Sequence, residues 1–178
     1  MTIGHIETHR LRIRSFQPND WQAVYDYTSD PDVMMYIPEG PFTPEQAKAF
    51  VADNMSEQAH FVAVLLKTAD MLVGHMEFHP WFASQTYEIG WVFNRAYHGY
   101  GYATEAAEEV VRYGFEDLAL NRIHAKHFGS NPASGRVMRK VGMSLEGVRP
   151  EHYKKWETYE DRVDYGLLVR DWRKNKRG

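Results

Sequence analysis

No cysteine occurs among the 178 residues, which removes disulfides, zinc–thiolate centres and any mechanism that passes through a cysteinyl acyl-enzyme. Also missing is an apolar run near the roughly 20 residues needed to span a bilayer. The first residues, Met1-Thr2-Ile3-Gly4-His5, lack the charged-then-apolar pattern of a secretory signal. A cytoplasmic protein with no membrane partner is therefore expected. Neither sign of charge dominates: 21 Lys and Arg face 24 Asp and Glu, a net charge of −3. The basic stretch from Arg170 to Arg177 is too short to create a nucleic-acid surface, so no nucleic-acid partner is expected either. With 43% hydrophobic and 25% charged residues the chain has the composition of a globular protein. What it has in excess is aromatic: 5 Trp, 11 Tyr and 9 Phe, or 14%, and these rings need places.

No repeat or Pro/Gly/Ser-rich linker divides the sequence, so residues 1–178 read as a single domain. Arg10-Leu11-Arg12-Ile13-Arg14 alternates as a strand, and Trp21, Val24, Tyr25 and Tyr27 suggest a short helix. Thr43-Pro44-Glu45-Gln46 combines an N-cap, a first-turn proline and a capping-box glutamine, and Ala47, Phe50, Val51 and Met55 give the helix it opens an apolar stripe. Phe61 to Leu66 and Met71 to Phe78 read as a hairpin turning at residues 67–70, and Thr86 to Phe93 as a further strand. From Ala103 the period becomes helical, returning to strand over Arg122 to Phe128. Pro132 behind Asn131 opens another helix that stops at Gly142, and strands around Met143 to Val148 and Arg162 to Val169 close the chain as a hairpin. This order implies a mixed sheet with helices packed on it.

The segment Gly99-Tyr100-Gly101-Tyr102-Ala103 lies between a strand and a long helix. Glycines there let backbone approach a ligand, and free amides at a helix N-terminus carry about half a unit of positive charge, an arrangement suited to phosphate oxygens. A glycine turn before a helix also serves packing alone. The segment is not a GxxxxGK[ST] loop, and GxGxxG fails because Thr104 stands where its third glycine belongs.

Several blocks together are similar to the GNAT (Gcn5-related) family of acetyl-CoA-dependent N-acetyltransferases, most closely its RimJ/RimL-type branch. They are Glu88-Ile89-Gly90-Trp91-Val92-Phe93, then Tyr97-His98-Gly99-Tyr100-Gly101-Tyr102-Ala103-Thr104-Glu105-Ala106, then Asn131-Pro132-Ala133-Ser134, and Val141-Gly142-Met143 with Glu146-Gly147. The likeness runs from Leu11-Arg12-Ile13-Arg14 to Asp171-Trp172. It implies an α+β fold with a mixed, mostly antiparallel sheet of about seven strands, a splayed parallel pair and about four helices. It also implies acetyl-CoA as co-substrate: Trp91, Val92 and Phe93 lending backbone groups to the pantetheine arm, and His98, Gly99, Tyr100, Gly101, Tyr102, Ala103 and Thr104 forming the pyrophosphate cradle. Asn131 would hydrogen-bond the cofactor arm, with Ser134 near the thioester sulfur. His98 departs from the family's usual Arg or Gln at the first loop position.

Without cysteine, direct attack of an amine on the thioester in a ternary complex is favoured. An α-amine with a pKa of about 7.7 to 8.0 is partly neutral at pH 7, whereas a lysine amine at about 10.4 is almost wholly charged. Glu88 is the candidate base, as it lies on the strand beside the cofactor path, and Ser134 is a candidate donor to the leaving sulfur. Both have plain alternatives, an ion-pair partner for Glu88 and a helix-capping role for Ser134. Tyr97, Tyr100 and Tyr102 are alternative acids or packing groups. Met35 and Tyr36 fall where the family forms one wall of the acceptor pocket, and Trp81 and Trp156, in predicted loops, suit acceptor contact or the interface of a homodimer. His75 and His79 on one strand lie roughly 13 Å apart at about 3.3 Å per residue, and no HExxH is present, so no metal is expected. The acceptor reads as a protein N-terminal amine or a small amine such as an aminoglycoside, a polyamine or an amino-acid derivative. A CoA-binding sensor without turnover is the alternative of another class.

Overall fold

The computed structural model describes residues 3–56, 58–155 and 157–176. The chain forms two compact units, one drawn from Met1–His79 and Gly90–Glu109, the other from Pro80–Ile89 and Val110–Gly178. Eight strands and six α-helices occur among the described residues.

In the first unit β1 (His5–Glu7), β2 (Leu11–Arg14), β3 (Phe61–Leu66) and β4 (Met71–Pro80) pair in that order, all antiparallel, followed by the second half of β5 (Thr86–Phe93). Register follows the apolar alternation: Ile13 faces Ile6 on one side and Val64 on the other, and Leu11 and Ile13 are wholly buried. Helices α1 (Trp21–Thr28), α2 (Pro31–Met34) and α3 (Pro44–Asp53) enclose the core. Phe16, Val24, Tyr27, Ala47, Val51, Ala63, Leu65 and Leu72 form that core, and Trp21, Phe42, Phe50 and Phe61 pack against it. Much of the aromatic excess is therefore core, at about 1.5–3 kcal/mol for each large apolar side chain buried. The expected cap of α3 is complete: Thr43 Oγ1 accepts from the Gln46 amide at 3.2 Å and Gln46 Oε1 from the Thr43 amide at 2.7 Å. Gly74 marks a close approach, since a Cβ there would meet the Val92 carbonyl oxygen at 2.5 Å and Phe93 at 2.9 Å.

The second unit orders its strands as the first half of β5, β6 (Arg122–Phe128), β8 (Thr158–Leu168) and β7 (Ser144–Lys155). Its β5–β6 ladder is the parallel pair, with Thr86 opposite Arg122 and Glu88 opposite His124. Alternate residues Ile123, Ala125, Tyr165 and Leu167 are buried. Helix α5 (Pro132–Lys140) contacts β6, and Gly142 past its end has φ +92°. Helix α4 (Tyr102–Glu116) contributes its first half to one unit and its second half to the other.

The mostly antiparallel sheet with one parallel pair is as expected, with more elements than the sequence pattern showed. Strand β1 is too short to display alternation, and α2 and α6 (Val169–Asn175) are one or two turns long. The closing hairpin extends well beyond Val148 and Arg162. Pro150 reads as a strand terminator, yet it sits in an irregularity between Arg149 and Tyr153 on β7, the last strand in the order, where no ladder partner needs its missing N–H.

Candidate functional site

In the first unit, β5 delivers Trp91, Val92 and Phe93 into a tightly tied loop. The Asn94 side chain accepts from the Ala96 amide at 3.0 Å and donates to Asp26 Oδ2 at 3.0 Å, opening a 3₁₀ turn over Arg95–Tyr97. Arg95 also pairs with Asp32. The His98 ring donates from Nε2 to the Phe93 carbonyl at 2.9 Å. Gly99 and Gly101 then adopt φ +85° and +83°, the left-handed region that side chains make costly. The first bond of α4 runs from the Glu105 amide to the Gly101 carbonyl at 3.0 Å. The amides of Tyr102, Ala103 and Thr104 therefore have no helical partner, at the positive end of a 15-residue helix.

Glu105 braces this turn. One carboxylate oxygen accepts from Thr8 Oγ1 and from the Arg10 amide at 2.8 Å, the other from Arg10 Nε at 2.6 Å. Burial pushes its carboxyl upward, but the hydrogen bonds from Thr8 and Arg10 outweigh this and hold it below the ordinary range. The same arginine donates to the Tyr100 carbonyl at 3.0 Å and lies 4.6 Å from the Tyr102 ring centroid. Tyr100 and Tyr102 stack on one another, with Tyr100 left exposed. Tyr97 donates to Met71 Sδ at 3.3 Å. Among the acceptor candidates in this unit, Met35 is exposed and Tyr36 half-buried, while Met34 enters the core. His75 and His79 have separate partners: the Tyr27 hydroxyl and His75 Nδ1 share a hydrogen bond at 2.7 Å, and His79 Nε2 lies 2.8 Å from Glu77 Oε1.

The second unit holds Glu88, buried at 3% exposure, with Oε1 accepting from Lys126 Nζ and Oε2 without a partner. Opposite it on β6, His124 is 2% exposed. Its Nε2 lies 3.3 Å from Asp164 Oδ1, and the Trp81 indole stacks on the ring at 4.0 Å and 7°. Asp164 is held in turn by Arg162 at 2.8 Å and Arg149 at 3.3 Å. Burial holds the His124 imidazole down to about 4; Asp164 opposes this, and Arg162, Lys126 and Arg122 add to it. Asn131 is the N-cap of α5, its Oδ1 accepting from the Ser134 amide at 3.2 Å. Trp81 thus contacts a polar cluster, Phe82 beside it is fully exposed at 99%, and Trp156 lies outside the described residues.

Sequence reading missed His124, Lys126 and Asp164. The signal was the alternation Arg122, His124, Lys126 along β6, which reads as a solvated strand face until the ladder places it beside Glu88.

Residues 10–144 match the family described as Acetyltransferase (GNAT) domain. The N-acetyltransferase YnaD of Bacillus subtilis (strain 168) is 48% identical over 168 residues, 94% of this chain and 99% of that protein. The crystal structure of a GNAT-family acetyltransferase from Bacillus anthracis superimposes with a TM-score of 0.90 at 45% identity, covering 94% of this chain and 99% of that one. The ribosomal L7/L12 α-N-protein acetyltransferase RimL, solved in complex with coenzyme A, shares the fold with a TM-score of 0.82 at 15% identity, over 93% of this chain and 98% of its own. A glycine-kinked turn feeding a helix N-terminus, in a chain with this fold and these relatives, makes the protein an N-acetyltransferase of the GNAT family.

Proposed function

We propose that the chain transfers the acetyl group of acetyl-CoA to a primary amine by direct attack, with the α-amine of a protein or peptide N-terminus as the leading acceptor class. The carrying observation is the braced turn at Gly99–Thr104, where unpartnered amides converge at a helix N-terminus behind an Arg10–Glu105 buttress. Such a turn suits the pyrophosphate of CoA. Trp91, Val92 and Phe93 are proposed to meet the pantetheine arm through their backbone. Asn131 has its Oδ1 committed to the helix cap, which leaves its amide nitrogen as the group for the cofactor arm.

In the proposed reaction the neutral amine nitrogen attacks the thioester carbonyl carbon, the C–S bond breaks, and CoA leaves as the thiolate. Glu88 takes the proton lost by the amine, and Ser134 Oγ donates a hydrogen bond to the sulfur. An α-amine fits this machinery because its modest basicity leaves a reactive neutral fraction near pH 7.

The test is an acceptor screen by mass spectrometry and free-thiol release, set with peptide N-termini beside polyamines, aminoglycosides and amino-acid derivatives. Peptide α-amines should gain one acetyl group with stoichiometric CoA release. Selective acetylation of small amines would move the acceptor assignment, and amine-independent thiol release would defeat the transfer itself.

A further inference from the structure

The turn ahead of α4 holds one aromatic surface out to solvent. Tyr100 is 61% exposed, yet its ring is fixed, stacked on that of Tyr102 with centroids 5.7 Å apart and planes within 12°. Tyr102 opens the helix, and its ring lies 4.6 Å from the Arg10 guanidinium. That guanidinium is held by Glu105 at 2.6 Å and donates to the Tyr100 carbonyl at 3.0 Å. Gly99 and Gly101, both in the left-handed region, flank Tyr100 and set the direction of its backbone. A Cβ at Gly99 would meet nothing within 4 Å, so the ground beside the turn is open.

The diphosphate of CoA carries a different group at each end. Pantetheine leaves from one, on the proposed course past Trp91, Val92 and Phe93, and adenosine leaves from the other. With the diphosphate on the amides of Tyr102, Ala103 and Thr104, a single ribose separates it from the base, which brings adenine within reach of the Tyr100 ring. Adenine is planar and uncharged, and such a base stacks on an aromatic side chain by its face without needing a hydrogen-bond partner. A ring already ordered loses little freedom when the base arrives.

We infer that Tyr100, backed by Tyr102 and Arg10, is the shelf on which the adenine of acetyl-CoA stacks, and that the chain thereby selects the free nucleotide thioester as its acetyl donor. A thioester carried on 4′-phosphopantetheine alone, the form attached to carrier proteins, has no base to place there. This rests on the proposed seat of CoA and gives a role to the Tyr100 side chain, where that reading uses the backbone of the turn.

The test uses the whole chain with CoA and with 4′-phosphopantetheine. Proton NMR of CoA carrying ¹³C in its adenine should show H2 and H8 moving upfield on saturation, the ring-current mark of a base lying over an aromatic face. Tyr100→Leu should abolish that shift, and Tyr100→Phe, which keeps the ring, should retain it. By calorimetry Tyr100→Leu should weaken CoA binding about tenfold and leave 4′-phosphopantetheine binding unweakened. In turnover, the wild type should show a lower KM for acetyl-CoA than for S-acetyl-4′-phosphopantetheine, and Tyr100→Leu should narrow that gap about tenfold by raising the first KM alone. A shift that survives Tyr100→Leu, or an equal loss of affinity for both ligands, overturns the shelf. CoA bound by the wild type with no adenine shift defeats the shelf alone, whereas a wild type that binds neither ligand defeats the seat of CoA and the shelf together.

Discussion

Arg10 and Glu105, 95 positions apart, meet at 2.6 Å, and the guanidinium reaches on to the carbonyl of Tyr100. One side chain from the bend just before β2 thereby sets the shape of the turn ahead of α4. Arg10→Ala removes a charge-assisted bond worth about 1.5–3 kcal/mol and frees the loop, so the acetyl-CoA KM should rise roughly tenfold with little change in kcat. Steady-state kinetics at saturating amine measure this. A fall in kcat at unchanged KM would separate the buttress from cofactor binding.

Gly101→Val tests the turn directly. The φ of +83° is the difficulty, as a Cβ would meet only Arg10 Nη2 at an ordinary 3.6 Å. Leaving the left-handed region reorients the following amides, at a cost of about 1–2 kcal/mol or more for a β-branched residue. Calorimetry should show at least a tenfold loss of CoA affinity. Gly4→Ala, at a position with nothing within 4 Å, should bind as wild type.

Glu88→Gln should lower kcat by about 10²–10⁴-fold if the carboxylate takes the amine proton. Lys126 loses its counter-charge, but its side chain is 37% exposed and can turn to water, so the melting temperature should change little. Adding Lys126→Met should leave the rate where the single variant sets it. Recovery of the rate in the double variant would exclude proton transfer to Glu88.

Acid should destabilise the fold through two histidines. His75, fully buried and hydrogen-bonded to Tyr27, is held down to about 4 by burial against an opposing effect of Glu77, and His124 also lies at about 4. Both are neutral in the fold, whereas in the unfolded chain they titrate near 6.5. Between those values the unfolded state binds more protons. Stability is therefore full above about pH 6.5 and declines as pH falls towards 4, by up to about 1.4 kcal/mol per pH unit for each imidazole. Thermal melts across this range should show the decline, with a shallower slope in His124→Phe.

Local signals carried most of the fold. Thr43 with Gln46, Pro132 behind Asn131, and Gly142 each mark a helix end where the structure has one, because capping depends on a few adjacent residues. Pairing was less legible. Pro150 concealed the length of β7, since its tolerance depends on the strand being at an edge, a property of the sheet and not of the segment. In the site, Gly99 and Gly101 were visible as a turn, but Arg10 was not visible as its brace. His124 remained hidden because a polar residue on an alternating strand reads as exposed, whereas here it is buried with Trp81 stacked on its ring.

His98 spends its ring N–H on the carbonyl of Phe93. Where relatives of the resemblance place a guanidinium or amide at the loop entrance, this loop is closed by an internal tether, and its proposed grip on phosphate falls to a row of neutral amides. A fixed cation attracts any dianion across about a Debye length, whereas backbone dipoles act at contact. On the proposed placement of the pyrophosphate, the turn would distinguish ligands at contact, by the contour and spacing of two linked phosphates, and not by charge at a distance.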